Sequence, residues 1–115
     1  MNGITGGASY DYLGKAFIPT GQDRTGDAQI GLRWYAGAGC TGGTVGSQPR
    51  QSTATLGTWV ALSGLASVAP GTAVSAQFVA FPSKVEAGGT LIANFDDLIL
   101  RPAGTPVNLV TFDGE

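Results

Sequence analysis

This sequence predicts an all-β sandwich of antiparallel strands, and three observations carry the prediction. Short runs alternate apolar with polar residues, Gly, Pro, Ser or Thr closes each run, and glycine reaches 19 of 115 residues. Period-two hydrophobicity fits a pleated surface with one buried side, and closely spaced turn signals fold successive strands back on one another. Glycine supplies the positive φ that tight turns need, while Val and Thr suit strands, so no long helix is expected. A single domain of about eight strands follows, over residues 1–105, with 106–115 as a separate tail.

The elements read in order. Residues 9–18 place Tyr10, Tyr12, Ala16 and Ile18 on one side and stop at Pro19-Thr20-Gly21. Residues 28–35 put Ala28, Ile30, Leu32 and Trp34 on one face and Gln29, Arg33 and Tyr35 on the other, the pattern of a half-buried strand. The Gly-rich stretch 36–46 cannot hold a regular element for long, and Pro49 confines the segment 48–54 to a sheet edge. Residues 59–65 alternate Trp59, Ala61 and Ser63 against Val60, Leu62 and Gly64. After the turn Ala69-Pro70-Gly71-Thr72, residues 73–81 alternate again until Phe81-Pro82-Ser83 breaks the run. Residues 90–100 form the last strong strand, and 107–112 form a final apolar run beyond a linker-like stretch.

Composition narrows the function. Net charge is −2 and the six Lys and Arg are scattered singly, so there is no basic stripe for a phosphate backbone and nucleic acid is not expected as a partner. The absence of His removes the usual general base and the commonest metal ligand, which excludes zinc sites and Ser-His-Asp or Cys-His chemistry within one chain. The single cysteine, Cys40, has no intrachain partner and reads as a small loop residue. No run approaches the ~20 apolar residues of a membrane span, and residues 1–7 lack the basic and apolar regions of a signal peptide.

Several blocks together resemble a known family. They are the Tyr-led strand 9–18, Arg33-Trp34-Tyr35, Gly57-Thr58-Trp59-Val60-Ala61-Leu62-Ser63-Gly64, Ala69-Pro70-Gly71-Thr72, and Asn94-Phe95-Asp96-Asp97-Leu98-Ile99-Leu100. Over residues 7–101 the chain is similar to carbohydrate-binding modules of the galactose-binding-like jelly-roll group, of the type appended to xylanases and β-glucanases. The resemblance implies a jelly roll, a non-catalytic hold on a polysaccharide or glycan, and an extracellular or particle-surface setting. It also implies that Trp59 is a core residue. The family's opening strand is missing here, while Asn108-Leu109-Val110-Thr111-Phe112-Asp113-Gly114-Glu115 resembles that strand placed at the other end. A circular permutation, the start of a following module, a strand exchanged between chains and a coincidental apolar tail all account for it.

Two constellations are candidates for a site. Asp96 and Asp97 are adjacent carboxylates in an apolar run and need compensation if that strand is buried. By the resemblance they bind a structural calcium ion, joined by Asp113 or Glu115 if the tail replaces the first strand; capping a turn at the strand's rim is the plainer role. They diverge as neighbours on a strand, so they do not make a glycosidase pair, and no enzyme is expected. The second constellation is Tyr35, Arg33 and Gln29 on the polar face of residues 28–35, extended by Tyr12, Gln77 and Gln51, where rings could stack on sugars and polar groups meet hydroxyls. The rival expectation is a structural or assembly module of a virion, tail fibre or surface array, which binds no sugar and forms a homo-oligomer by pairing strands at an open sheet edge.

Overall fold

The computed structural model describes residues 2–105 together with Asn108 and Leu109. Seven strands occur among them and no helix: β1 (Ser9–Phe17), β2 (Gly26–Gly37), β3 (Thr41–Thr44), β4 (Arg50–Thr53), β5 (Trp59–Val68), β6 (Ser75–Lys84) and β7 (Asn94–Pro102). Strand β1 is the middle of a three-stranded sheet, between β5 and β7. Strand β2 is the centre of a four-stranded sheet, and β6 fills one of its edges from Gly26 to Tyr35. Strands β3 and β4 pair with β2 at different heights and therefore share its other edge. All these strand pairings are antiparallel.

The two sheets face each other across one core, as in a β-sandwich. Tyr10, Tyr12, Ala16 and Ile18 meet Ile30, Leu32 and Trp34, with Leu62 and Leu100 closing the layer. Tyr10 and Trp34 are tilted ring on ring, centroids 6.0 Å apart. Burying each large apolar side chain contributes roughly 1.5–3 kcal/mol, and a one-residue slip of β2 would turn that whole stripe outward, so its register is strongly specified. Gly64 shows how tightly the inner layer fits. A Cβ there would lie 2.1 Å from the Tyr12 ring, so only glycine lets β5 pass over that tyrosine.

That contact decides which side of β5 looks inward, and it corrects the expectation for Trp59. Val60, Leu62 and Gly64 take the inner side, while Trp59 stands opposite Phe17 on the outer side and is 49% exposed. Its ring rests against Phe17, centroids 5.4 Å apart. Other boundaries differ too. Strand β6 runs through Pro82 to Lys84, because it pairs with β2 on one side only and an edge strand tolerates a proline. Strand β2 continues into the Gly-rich stretch, where Cys40, at φ 59°, turns the chain into β3. The last strand begins at Asn94, not at residue 90. Of the apolar run 107–112, only Asn108 and Leu109 are described.

Candidate functional site

The site grows from the alternation of β2. With Ala28, Ile30, Leu32 and Trp34 buried, Gln29, Arg33 and Tyr35 stand on the outer face of the four-stranded sheet. Antiparallel register brings neighbours from β6 onto the same face: Gln77 opposite Arg33, Val79 opposite Gly31, and Phe81 opposite Gln29. The Tyr35 hydroxyl donates to Gln77 Oε1 at 3.2 Å, and Gln29 Nε2 donates to Asp27 Oδ1 at 3.0 Å. Four of the expected residues, Gln29, Arg33, Tyr35 and Gln77, therefore share one surface.

Strand β4 adds a residue that sequence reasoning missed. Arg50 pairs with Gly31 and reaches across β2, its guanidinium carbon 5.7 Å from the centre of the Phe81 ring. Nη1 donates to the carbonyls of Leu32 and Pro49, each at 3.0 Å, and Nη2 to Gln48 Oε1 at 3.3 Å. Gly31 makes this crossing feasible: a Cβ there would stand 2.6 Å from both Arg50 Cδ and Nη1 and 2.3 Å from the Pro49 carbonyl oxygen. Burial, and then the like charge of Arg33, draw the Arg50 guanidinium below its ordinary value. The available signal was the period of β4, which puts Arg50 and Ser52 on one side and Gln51 on the other; its register against β2 was not readable.

Two expected residues belong elsewhere. Tyr12 is 1% exposed and part of the core, so its ring cannot meet a ligand on this face. Gln51 pairs with Ile30, which turns its side chain to the inner side of the sheet, where it hydrogen-bonds the Tyr12 hydroxyl. Burial still pushes that hydroxyl up, outweighing Gln51 and the charge of Arg50.

Asp96 and Asp97 are both exposed, so the electrostatic demand of a buried carboxylate pair does not arise. Asp96 pairs with Lys15, and Asp97 with Leu98 forms a bulge opposite Gly14, where the pairing of β1 with β7 shifts between Leu13 and Lys15. Asp97 has φ 53° and its N–H donates to Asp96 Oδ1 at 2.8 Å, while Lys15 Nζ lies 3.1 Å from Asp97 Oδ2. No group of three or more Cys, Asp or Glu able to hold a metal comes together among the described residues, and Asp113 and Glu115 lie outside them. The bulge borders a groove of about 960 Å³ on the outer face of the three-stranded sheet, with Leu13, Ala61 and Ile99 among its walls and Lys15, Ser63, Asp97 and Asn108 as polar groups. Asn108 lies along the edge of β7, its Oδ1 accepting from Leu100 N at 3.0 Å, and Leu109 N donates to the Leu100 carbonyl.

Asp11 is a charged residue within β1 and only 6% exposed. It accepts the Ala66 N–H at 2.9 Å and Arg101 Nε at 3.1 Å. The Ala66 hydrogen bond, helped by Arg101, outweighs burial and holds its carboxyl below the usual carboxylate value.

Comparison of the chain with protein-family models, with curated proteins and with solved structures returned no match.

Proposed function

We propose that this chain is a non-catalytic carbohydrate-binding module, a sandwich of the galactose-binding-like jelly-roll type, that holds a polysaccharide across the outer face of β4, β2 and β6. The observation that carries the reading is the convergence of Tyr35, Phe81, Arg33, Gln29 and Gln77 on one accessible sheet surface. Pyranose C–H faces stack on flat rings, while amide and guanidinium groups match ring hydroxyls with directed hydrogen bonds. From Gln29 to Tyr35 the strand rises about 20 Å, long enough for an extended chain of several sugars. Among the described residues the strands of this sheet carry one carboxylate, Asp27, where glycoside hydrolysis uses a facing pair, which supports the non-catalytic reading.

By analogy such a module works outside the cell or on a particle surface, and the resemblance attaches a structural calcium ion to it. Two of the four expected ligands of that ion, Asp96 and Asp97, sit exposed at the bulge; a melting temperature lowered by a chelator would establish the ion, and an unchanged one would remove it. The assembly reading has one observation in its favour: β5 is a sheet edge that exposes Trp59, Leu65 and Val68. Affinity electrophoresis through gels cast with a panel of polysaccharides, run beside light scattering, separates the two. Retardation by a glycan that Tyr35→Ala weakens supports the binding module. A stable oligomer with no retardation in any gel overturns it.

A further inference from the structure

The chain has six Lys and Arg, and their partners divide them sharply. Lys15, Arg24 and Arg101 each pair with a carboxylate, and Lys84 Nζ donates to the carbonyls of Gly88 and Gly89. Arg33 and Arg50 have no carboxylate within ion-pair distance among the described residues. They stand on the same face as diagonal neighbours, since Arg50 is opposite Gly31 and Arg33 is two residues further along β2. Such diagonal neighbours are about 7 to 8 Å apart, somewhat less at Cβ, close enough for like charges to repel.

The surroundings leave both guanidinium groups available to a ligand. The four strands of this sheet contain a single acid, Asp27, six residues from Arg33, or about 20 Å along the strand, and it is occupied by Gln29. Arg33 has no protein acceptor among the described residues for any of the N–H groups of its guanidinium. Arg50 is fixed through Nη1 and one hydrogen of Nη2 and braced on the Phe81 ring, which leaves its Nε–H open. A chain whose net charge is −2 thus concentrates two uncompensated cations on one patch, beside Tyr35 and Gln77.

We infer that the polysaccharide held on this face is anionic, its carboxylate or sulfate groups spanning Arg33 and Arg50 while its ring faces lie on Tyr35 and Phe81. The inference rests on the carbohydrate-binding reading and narrows it to a class of glycan. Planar guanidinium groups bind carboxylate and sulfate oxygens in pairs, and an anion between the two arginines also relieves their mutual repulsion.

The test is affinity electrophoresis and titration calorimetry of the wild type and Arg33→Gln against polygalacturonate, its methyl ester, dextran sulfate, neutral xylan and single-stranded DNA. Binding to polygalacturonate or dextran sulfate is expected, weakening as salt is raised, and the two polymers separate carboxylate from sulfate as the source of charge. Esterification should abolish the polygalacturonate signal, and Arg33→Gln should weaken binding about tenfold or more. The melting temperature of Arg33→Gln should be no lower than that of the wild type, because Arg33 has no protein partner to lose among the described residues and its repulsion of Arg50 is removed. Equal binding to methyl ester or xylan, unaffected by Arg33→Gln, would overturn the anionic class and leave the carbohydrate reading standing. Binding to none of the glycans would overturn both, and a preference for DNA would replace the glycan with a nucleic acid.

Discussion

The outer faces of the two sheets make opposite use of their charges. On the three-stranded sheet each cation has its acid: Lys15 meets Asp97 and Arg101 meets Asp11, around an apolar floor that includes Leu13, Ala61 and Ile99. On the four-stranded sheet Arg33 and Arg50 stand together without an acid, between Tyr35 and Phe81. The first face has a groove of about 960 Å³, yet its Lys and Arg are paired with carboxylates. On the second, guanidinium donors of Arg33 and Arg50 remain open. Volume alone is therefore a poor guide here, and the difference lies in which polar groups still have hydrogen bonds to give.

Removing Asp11 should separate the faces most clearly. Asp11→Asn would leave Arg101 without its anion and weaken the bond to the Ala66 N–H, lowering stability by about 2–3 kcal/mol in urea unfolding with glycan affinity unchanged. Equal losses of stability and affinity would break the division. The same residue sets a pH dependence. Its folded value lies below the ordinary carboxylate value near 4, so its contribution is complete above that value and disappears as pH falls through the lower folded one. Wild-type unfolding followed from pH 7 to pH 2 should show this acid limb, and Asp11→Asn should flatten it.

Gly31→Ala probes the other face. The added Cβ meets the Pro49 carbonyl oxygen and Arg50, so a loss of about 1–2 kcal/mol is expected together with reduced glycan retardation, as the guanidinium is displaced. Retained binding would show that Arg50 need not lie across β2. Tyr35→Ala should weaken glycan binding about tenfold at nearly constant melting temperature, whereas Trp59→Ala, on the opposite sheet, should leave binding as it is. The reverse pattern would move the site to the Trp59 face. The mildest change is Asp97→Asn, which removes a solvent-exposed ion pair and should cost less than about 1 kcal/mol.

Much of this was legible in the chain. The faces of β2 could be read residue by residue, because a strand covered by a sheet on one side must alternate, and the polar residues left over are the centre of the candidate site. Glycine and proline clusters marked most turns for a similar local reason. Pairing was what escaped. Trp59 and Val60 alternate equally well with either one inward, and only the fit of Gly64 over Tyr12 settles the choice. Pro82 reads as a breaker until its strand proves to be an edge, and Asp96-Asp97 reads as a buried pair until Asp96 proves to share the outer face of Lys15 and a bulge at Asp97 turns that residue to solvent as well.

The periodicity of the chain thus sufficed for the all-β class and the inner stripe of β2, because each depends on residues close in sequence. The company each residue keeps came from folding. Arg50 lies beside Arg33, Tyr12 lies in the core under Gly64, and Asp11 lies against Arg101, because strand register joins positions that no local pattern relates.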